Sequence, residues 1–349
     1  MNTTSAKPYS VSSPPTRSTI APALTLILLA PLIAEVLSGA TRFSYIFVLI
    51  PEMMVWGCGA LLIREVVRRW DAGGTSMLLL GLALSVAEEF IIQQTSLAPL
   101  PWLGSTPIYG RQWGVNWIYF LFMLGYESVL VVLVPVQVTE LIFPEHRSEH
   151  WLKTRGLVIS TIVFLFGSFL AWFAWTQRAR PLTFHVPPYH PSPVLIAVGL
   201  LAIVLLAALA YALKEFDRPR AAGAQAPRWW VVGPAVLLIG FPWYALMALI
   251  FVPTLQHNFS FWLPVAAGVV WGVLAYLFIR HWSSSAGWND MQRWAATFAA
   301  TLVCMIAGFF GSSLWLRMDV VGKAVLNVIA IAGFLLLALK IQRRSVRAA

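Results

Sequence analysis

The sequence predicts an all-α protein, a polytopic transmembrane helical bundle of about ten spans with its N-terminus and C-terminus in the cytoplasm. Only 11% of the 349 residues are charged while 59% are hydrophobic, whereas soluble domains are about a quarter charged and about half apolar. The apolar residues also fall in separate stretches of about 20 residues, the length that crosses about 30 Å of hydrocarbon. We therefore expect a multi-pass protein of the plasma (inner) membrane, with membrane lipid around it.

The distribution of basic residues predicts the orientation. The candidate spans lie at about 20–40, 43–63, 76–94, 115–136, 156–175, 194–213, 229–252, 261–280, 294–314 and 324–340. With the N-terminus in the cytoplasm, eighteen of the 24 Lys and Arg residues fall on the cytoplasmic side, as the retention of positive charge on that side requires. The net charge of +10 is then a signal of topology, and no nucleic-acid partner is expected.

The same pattern divides the chain into five parts. They are a disordered cytoplasmic tail (1–19), a four-span half that carries glutamates (20–143), a cytoplasmic loop (144–155), a six-span apolar half (156–340) and a basic cytoplasmic tail (341–349). The first apolar run contains Pro31 and Glu35, so it is longer and more polar than the core of a signal peptide and is interpreted as a membrane span.

Polar residues in spans two to four share helix faces. In span two, Pro51 lacks an amide hydrogen and frees the carbonyl of Phe47 beside Glu52. In span three a spacing of three or four residues, and in span four a shared face, defines two polar stripes, formed by Ser85, Glu88, Glu89 and Gln93 and by Tyr119, Tyr126 and Glu127. Between these spans, the apolar and Pro-rich segment 95–114 is typical of a folded lid or a re-entrant loop.

These acids predict one intramembrane site. A charged side chain at the middle of a span costs at least about 2.5 to 3.5 kcal/mol, so it persists where it faces a cavity, finds a partner or has a function. If the first four spans are neighbours, the predicted ion or solute site consists of Glu35, Glu52, Glu88, Glu89, Gln93, Tyr126 and Glu127. Arg42 and Arg111 flank the same region and are the candidate charge partners. A purely structural alternative has the acids neutralised by these arginines or protonated and hydrogen-bonded.

The sequence assigns no metal site, and the cofactor is unknown. His146 and His150 have the spacing of metal ligands on one helix face, but basic residues around them favour a solvated interfacial segment. Cys58 and Cys304 lie inside apolar stretches and are interpreted as small buried hydrophobic residues.

One region resembles a known family over about residues 76–130. Glu88-Glu89-Phe-Ile-Ile-Gln93 resembles the first motif of the CAAX prenyl endopeptidase and bacteriocin-processing (CPBP) intramembrane metalloproteases, with Gln93 where that family has Arg. Phe122 and Tyr126 have the spacing of its second motif, with Tyr126 in place of His, and its third motif is missing. The resemblance implies a helical intramembrane core in which Glu88 or Glu89 is the catalytic acid that activates water.

Three functions remain open at this point. The first is a transporter or ion-coupled carrier in which the glutamates bind a proton or cation and the outer segment gates access to a small solute. The second is a CPBP-like intramembrane protease, active or degenerate, built around Glu88 and Glu89. The third is a non-catalytic membrane scaffold.

Overall fold

The computed structural model describes residues 20–103, 108–216, 225–252, 255, 260–310 and 315–348. The predicted N-terminal tail (1–19) and four residues of the predicted lid (104–107) lie outside the described residues.

Ten helices account for most of the described chain. They are α1 (Ala21–Val36), α2 (Phe43–Arg69), α3 (Gly74–Ile92), α4 (Trp117–Ile142), α5 (Thr154–Leu182), α6 (Pro193–Ala212), α7 (Trp229–Phe251), α8 (Trp262–Ser283), α9 (Asp290–Ala307) and α10 (Arg317–Ala348). The strands found among the described residues are β1 (Arg111–Gln112) and β2 (Val115–Asn116), which pair antiparallel at the end of the predicted lid and just after it. The predicted all-α fold class is confirmed.

Eight of these helices are long and apolar enough to cross a membrane. The other two are α1, which is apolar but shorter, and α9, whose first turn carries Asp290 and Arg293. The protein is therefore a multi-span helical membrane protein.

The helix ends meet at two opposite faces of the bundle. On one face, here called the basic face, Arg147 forms an ion pair with Asp290 at 2.7 Å, which joins the loop after α4 to the start of α9. On the same face Arg344 near the end of α10 donates to the carbonyl of Leu141 at 3.2 Å. These contacts place the ends of α4 and α10 beside the start of α9.

On the opposite face, here called the lid face, the start of α10 meets the first turn of α2. The backbone amide of Ser44 donates to the Asp319 carboxylate at 2.8 Å. Asp319 lies in the first turn of α10 and is buried. This hydrogen bond satisfies the backbone amide of Ser44, which would otherwise lack a partner near the membrane.

The first four helices and the later helices share one core. Its buried members include Leu26, Leu61 and Val131 from the first half and Val232 and Cys304 from the second. The two parts of the chain on either side of the predicted loop 144–155 therefore pack together around one core.

Helices α3 and α4 are the most enclosed spans, whereas α5 to α8 expose long apolar faces. Close backbone approach holds α3 against α4, because a Cβ added at Gly81 would lie 3.2 Å from the Cα of Ser128. Small residues at such crossings are a common device of membrane helices. The helices that carry the predicted site thus lie in the interior of the bundle.

Candidate functional site

Each predicted intramembrane glutamate lies at a π-helical turn. In α1 the π-turn Leu32–Val36 contains Glu35, and in α2 the π-turn Met53–Gly57 follows directly after Glu52. In α3 the π-turn Glu88–Ile92 begins with Glu88 and Glu89, and in α4 the π-turn Glu127–Leu133 begins with Glu127. One further π-turn in the described chain, Phe173–Ala179 in α5, carries no glutamate. Because π-turns are rare and concentrate at functional sites, their coincidence with the acids marks this region.

The π-turns shift backbone hydrogen bonds out of the α-helical pattern. The Gln93 amide donates to the Glu88 carbonyl five residues back, at 2.9 Å. Carbonyls of α1 near its π-turn accept from other helices: Tyr126 donates its hydroxyl to the Ala34 carbonyl, and Lys323 donates to Leu37 at 2.7 Å. Backbone groups freed at membrane depth are satisfied in this way by neighbouring helices.

The structure brings the five carboxylates together. Glu35 lies within electrostatic range of Glu52, Glu88 and Glu89. Glu127 lies within electrostatic range of Glu89, Glu88 and Glu35. We call these five residues, contributed by α1 to α4, the glutamate cluster.

Glu88 is the member with the least satisfied side chain. It is 1% exposed, and neither of its carboxylate oxygens has a hydrogen-bond partner among the described residues. Its neighbour Glu89 is equally buried but accepts from the Ser96 hydroxyl at 2.6 Å. A buried acceptor without a partner carries a large desolvation cost, so the Glu88 carboxyl is the least stabilised of the cluster.

The other three glutamates are partly satisfied or partly accessible. Glu52 accepts from the Thr41 hydroxyl through one oxygen, and its second oxygen has no partner in the described chain. Glu127 lies near the Ser85 hydroxyl, which donates to the Met123 carbonyl at 3.1 Å, and one oxygen of Glu127 has no partner in the described chain. Glu35 is half-buried, whereas the other four are buried.

The expected charge partners lie elsewhere. Arg111 donates to the Asn116 side chain at 2.6 Å and to the Leu97 carbonyl at 2.7 Å, so it fastens the lid segment to itself. Arg42 lies over the ring of Trp315, 5.5 Å from its centroid. Within the described part of the chain neither arginine forms an ion pair with a glutamate of the cluster. The predicted pairing is thus replaced by backbone and aromatic contacts.

The described part of the predicted lid is folded and contacts the cluster at Glu89. Leu97 and Leu100 are fully buried, and the Asn116 amide donates to the carbonyls of Thr95 and Ala98 at 3.1 and 2.7 Å. Through Ser96 this segment also bonds directly to Glu89. The lid and the cluster therefore form one hydrogen-bonded unit.

Aromatic residues complete the surroundings of the cluster. Tyr119 lies within electrostatic range of Glu89, Glu127, Glu35 and Glu88, so it occupies a central position. Tyr126 lies near Glu35, and its hydroxyl is engaged by α1. Gln93 takes part through its backbone, and no hydrogen bond among the described residues joins its side chain to a carboxylate.

The later helices contribute polar groups that the sequence analysis did not assign to the site. Tyr244 of α7 lies within electrostatic range of Glu35, as does Cys304 of α9. Cys304 donates its thiol to the Ile33 carbonyl at 3.5 Å. The buried Lys323 of α10 is 3% exposed and donates to two backbone carbonyls. The i, i+4 spacing of Asp319, Lys323 and Asn327 in α10 is the sequence signal for the contribution of Lys323.

A second group of buried acids lies on the basic face. Glu65 is 0% exposed and forms ion pairs with Arg64 at 2.8 Å and with Arg69 at 2.6 Å. Glu140 is 1% exposed and pairs with Arg68 at 2.5 Å. We call these acids and arginines the basic-face network. The apolar pattern does not reveal this network, because the predicted second span ends at residue 63, before Arg64 and Glu65.

Among the described residues no group of three or more His, Cys, Asp and Glu side chains is arranged to hold a metal ion. His146 bonds instead to Glu149 at 2.7 Å in the loop after α4. No protein-family model, curated protein or solved structure gives a significant match to the chain. The site geometry is therefore the basis for a functional assignment.

Proposed function

We propose that the protein is a proton-coupled or cation-coupled carrier for a small solute, with the glutamate cluster as its ion site. The observation that carries the proposal is Glu88, buried among other carboxylates with both oxygens free of partners in the described chain. Neighbouring carboxylates in a low dielectric cannot all be ionised, because each added charge repels the others. They must hold protons or a bound cation, and exchange of that ion is the chemistry a coupled carrier uses.

Glu35 supports a route into the cluster. It keeps accessible surface while Glu52, Glu88, Glu89 and Glu127 are buried. An ion that reaches Glu35 is within electrostatic range of Glu88 and Glu89. The lid, which bonds to Glu89 through Ser96 at 2.6 Å, is then the element that opens or closes the site on the lid face.

The membrane arrangement is part of the proposal. We place the protein in the cell membrane with ten spans and both termini in the cytoplasm, so that α1 and α9 also cross. Two observations support this: the ends of the ten helices alternate between the two faces, and Arg64, Arg147 and Arg344 all make their contacts on the basic face. Retention of positive charge makes that face cytoplasmic.

Ion binding at membrane depth can be tested without knowing the solute. Proteoliposomes adsorbed on a solid-supported membrane are exposed to a jump in pH or in Na⁺ concentration, and the transient current is recorded. The wild type is expected to give a transient current, because an ion that enters the cluster moves charge part of the way across the bilayer. Glu88→Gln is expected to reduce the charge moved about tenfold.

Glu145→Gln is the matched control, since Glu145 is an exposed carboxylate in the loop after α4. It should retain the wild-type current. Absence of a current in the wild type for both ions, or equal currents in wild type and Glu88→Gln, would contradict the proposal.

The scaffold alternative makes a different prediction. It requires that Glu52→Gln and Glu127→Gln alter thermal stability alone and leave ion binding unchanged. The carrier proposal requires that both substitutions lower the charge moved, because both carboxylates belong to the cluster.

The protease alternative implied by the CPBP resemblance needs water and a metal beside Glu88 or Glu89. At the position of the second-motif His, the Tyr126 hydroxyl is engaged with the Ala34 carbonyl. We rank this alternative below the carrier because of that contact and because both oxygens of Glu88 lack partners in the described chain. Zinc content of the purified protein, and a chelator-sensitive cleavage of membrane peptides, would reverse the order.

A further inference from the structure

A second polar site lies on the basic face, far along the helices from the glutamate cluster. A cavity of about 360 Å³ opens there between the loop after α4, the start of α9 and the last turns of α10. Its polar lining consists of Arg147, Asn289, Asp290, Arg293, Arg344 and Ser345. Three guanidinium groups and one carboxylate leave this lining with an excess of two positive charges.

The three arginines differ in how far they are satisfied. Arg147 is paired with Asp290 at 2.7 Å, and Arg344 donates to the Leu141 carbonyl at 3.2 Å. Arg293 is half-buried, and its guanidinium has no hydrogen bond or ion pair with any residue that the structure describes. It lies within electrostatic range of two like charges, Arg147 and Arg68, and of two carboxylates, Asp290 and Glu140. The free N–H donors of Arg293, beside two further guanidinium groups, are therefore available to bind an anion.

The backbone also contributes positive electrostatic potential at the cavity. Helix α9 begins at Asp290 behind the N-cap Asn289, so the positive end of its dipole lies at the cavity. The volume of the cavity exceeds that of a few waters, each of which occupies about 30 Å³ in the liquid. A tetrahedral oxyanion therefore fits with part of its hydration shell retained.

We propose that this cavity binds a phosphate group. Arginine forks match phosphate oxygens in geometry and charge, and a surplus of two positive charges matches a phosphate of up to two negative charges. The group has two sources, the headgroup of an anionic phospholipid or a phosphorylated solute in the water phase. Basic pockets between helix ends at the membrane surface are typical of the first source.

The test uses the full-length protein in a neutral detergent and two probes. Inorganic phosphate is titrated while the midpoint of thermal unfolding is followed, with chloride at equal ionic strength as the reference. Phosphatidylglycerol is titrated in parallel, and the bound lipid is counted by native mass spectrometry. A rise in the unfolding midpoint with phosphate supports the soluble source, and saturable binding of phosphatidylglycerol alone supports the lipid source.

Arg293→Gln is the decisive variant, since it removes a guanidinium without breaking a bond to a described residue. We expect it to weaken binding of the effective probe about tenfold or more, with the unfolding midpoint unchanged when no probe is present. Arg343→Gln is the matched control, because Arg343 is exposed on the same helix as Arg344 and does not line the cavity. It should bind as the wild type does.

The proposal is overturned if the wild type binds neither probe. It is also overturned if Arg293→Gln and Arg343→Gln weaken binding equally, since that would report general surface charge. If Arg293→Gln fails to fold, Arg344→Gln replaces it with the same expected loss. Failure of the carrier proposal leaves this test intact, because the transient current of the glutamate cluster and phosphate binding are measured separately.

Discussion

Two groups of buried acids lie within the first four helices and differ in one respect. In the basic-face network Glu65 and Glu140, at 0% and 1% exposure, have Arg64, Arg68 and Arg69 beside them. In the glutamate cluster Glu88 and Glu89, each 1% exposed, have no basic partner among the described residues. The acids of the two groups are therefore equally buried, but only those of the basic-face network are paired with positive charges.

The difference separates a structural role from a functional one. An ion pair in the interior returns part of the desolvation cost of both charges, so the basic-face network fastens helix ends. Carboxylates that lack such partners regain only what hydrogen bonds such as that from Ser96 to Glu89 supply. Under the proposed function, this lack of a counter-charge leaves the glutamate cluster available for an exchangeable ion.

The largest loss of stability is expected where the arginines of the basic-face network lose the carboxylate that neutralises them. Glu65→Gln removes the charge that balances Arg64 and Arg69 and weakens the contacts that the Glu65 carboxylate accepts from the amides of Trp151 and Leu152. Breaking a buried pair costs about 3 to 5 kcal/mol. The unfolding midpoint, followed by the fluorescence of the 17 tryptophans, should fall well below that of the wild type.

An intermediate effect is expected where lid and cluster meet. Ser96→Ala removes the hydroxyl that donates to Glu89 at 2.6 Å, which leaves a buried carboxylate with one donor fewer at a cost of about 1 to 3 kcal/mol. The same unfolding assay should report a moderate loss. Ser168→Ala serves as its control, because the Ser168 hydroxyl donates only within its own helix, to Phe164.

The smallest effect on stability is expected at Glu88. Glu88→Gln removes no hydrogen bond to a described residue and relieves repulsion from Glu89. Its unfolding free energy should stay within about 1 kcal/mol of the wild type. A loss as large as that of Glu65→Gln would mean that Glu88 is structural and would erase the contrast between the two groups.

Much of the fold was predictable because apolar run length depends on the bilayer rather than on tertiary packing. The ten apolar runs correspond to α1 to α10, yet their ends differ where packing decides. Helix α2 continues to Arg69 because Arg64 and Glu65 are neutralised by pairing, which hydropathy does not register. Helix α9 begins at Asp290 with a capping box from Asn289 and Gln292, four residues before the predicted span.

The site was predictable in membership and less so in chemistry. Spacing of three or four residues identified the stripe of Glu88 and Glu89, and the structure brings it to Glu35 and Glu127. The π-turns depend on how neighbouring helices satisfy the shifted backbone carbonyls, so no local sequence pattern predicts them. Arg111 is predicted to pair with the glutamates because it lies near them along the chain. Its guanidinium instead donates to the Asn116 side-chain oxygen and the Leu97 carbonyl.

The central claim is that Glu88 and its neighbours exchange an ion. Infrared difference spectroscopy of the reconstituted protein tests it most directly, by following the band of protonated carboxylic acids while pH or Na⁺ concentration is raised. The account predicts that this band decreases in the wild type and in Glu145→Gln, and that the change is largely lost in Glu88→Gln. A spectrum that changes identically in wild type and Glu88→Gln, or that does not respond to either ion, would contradict it.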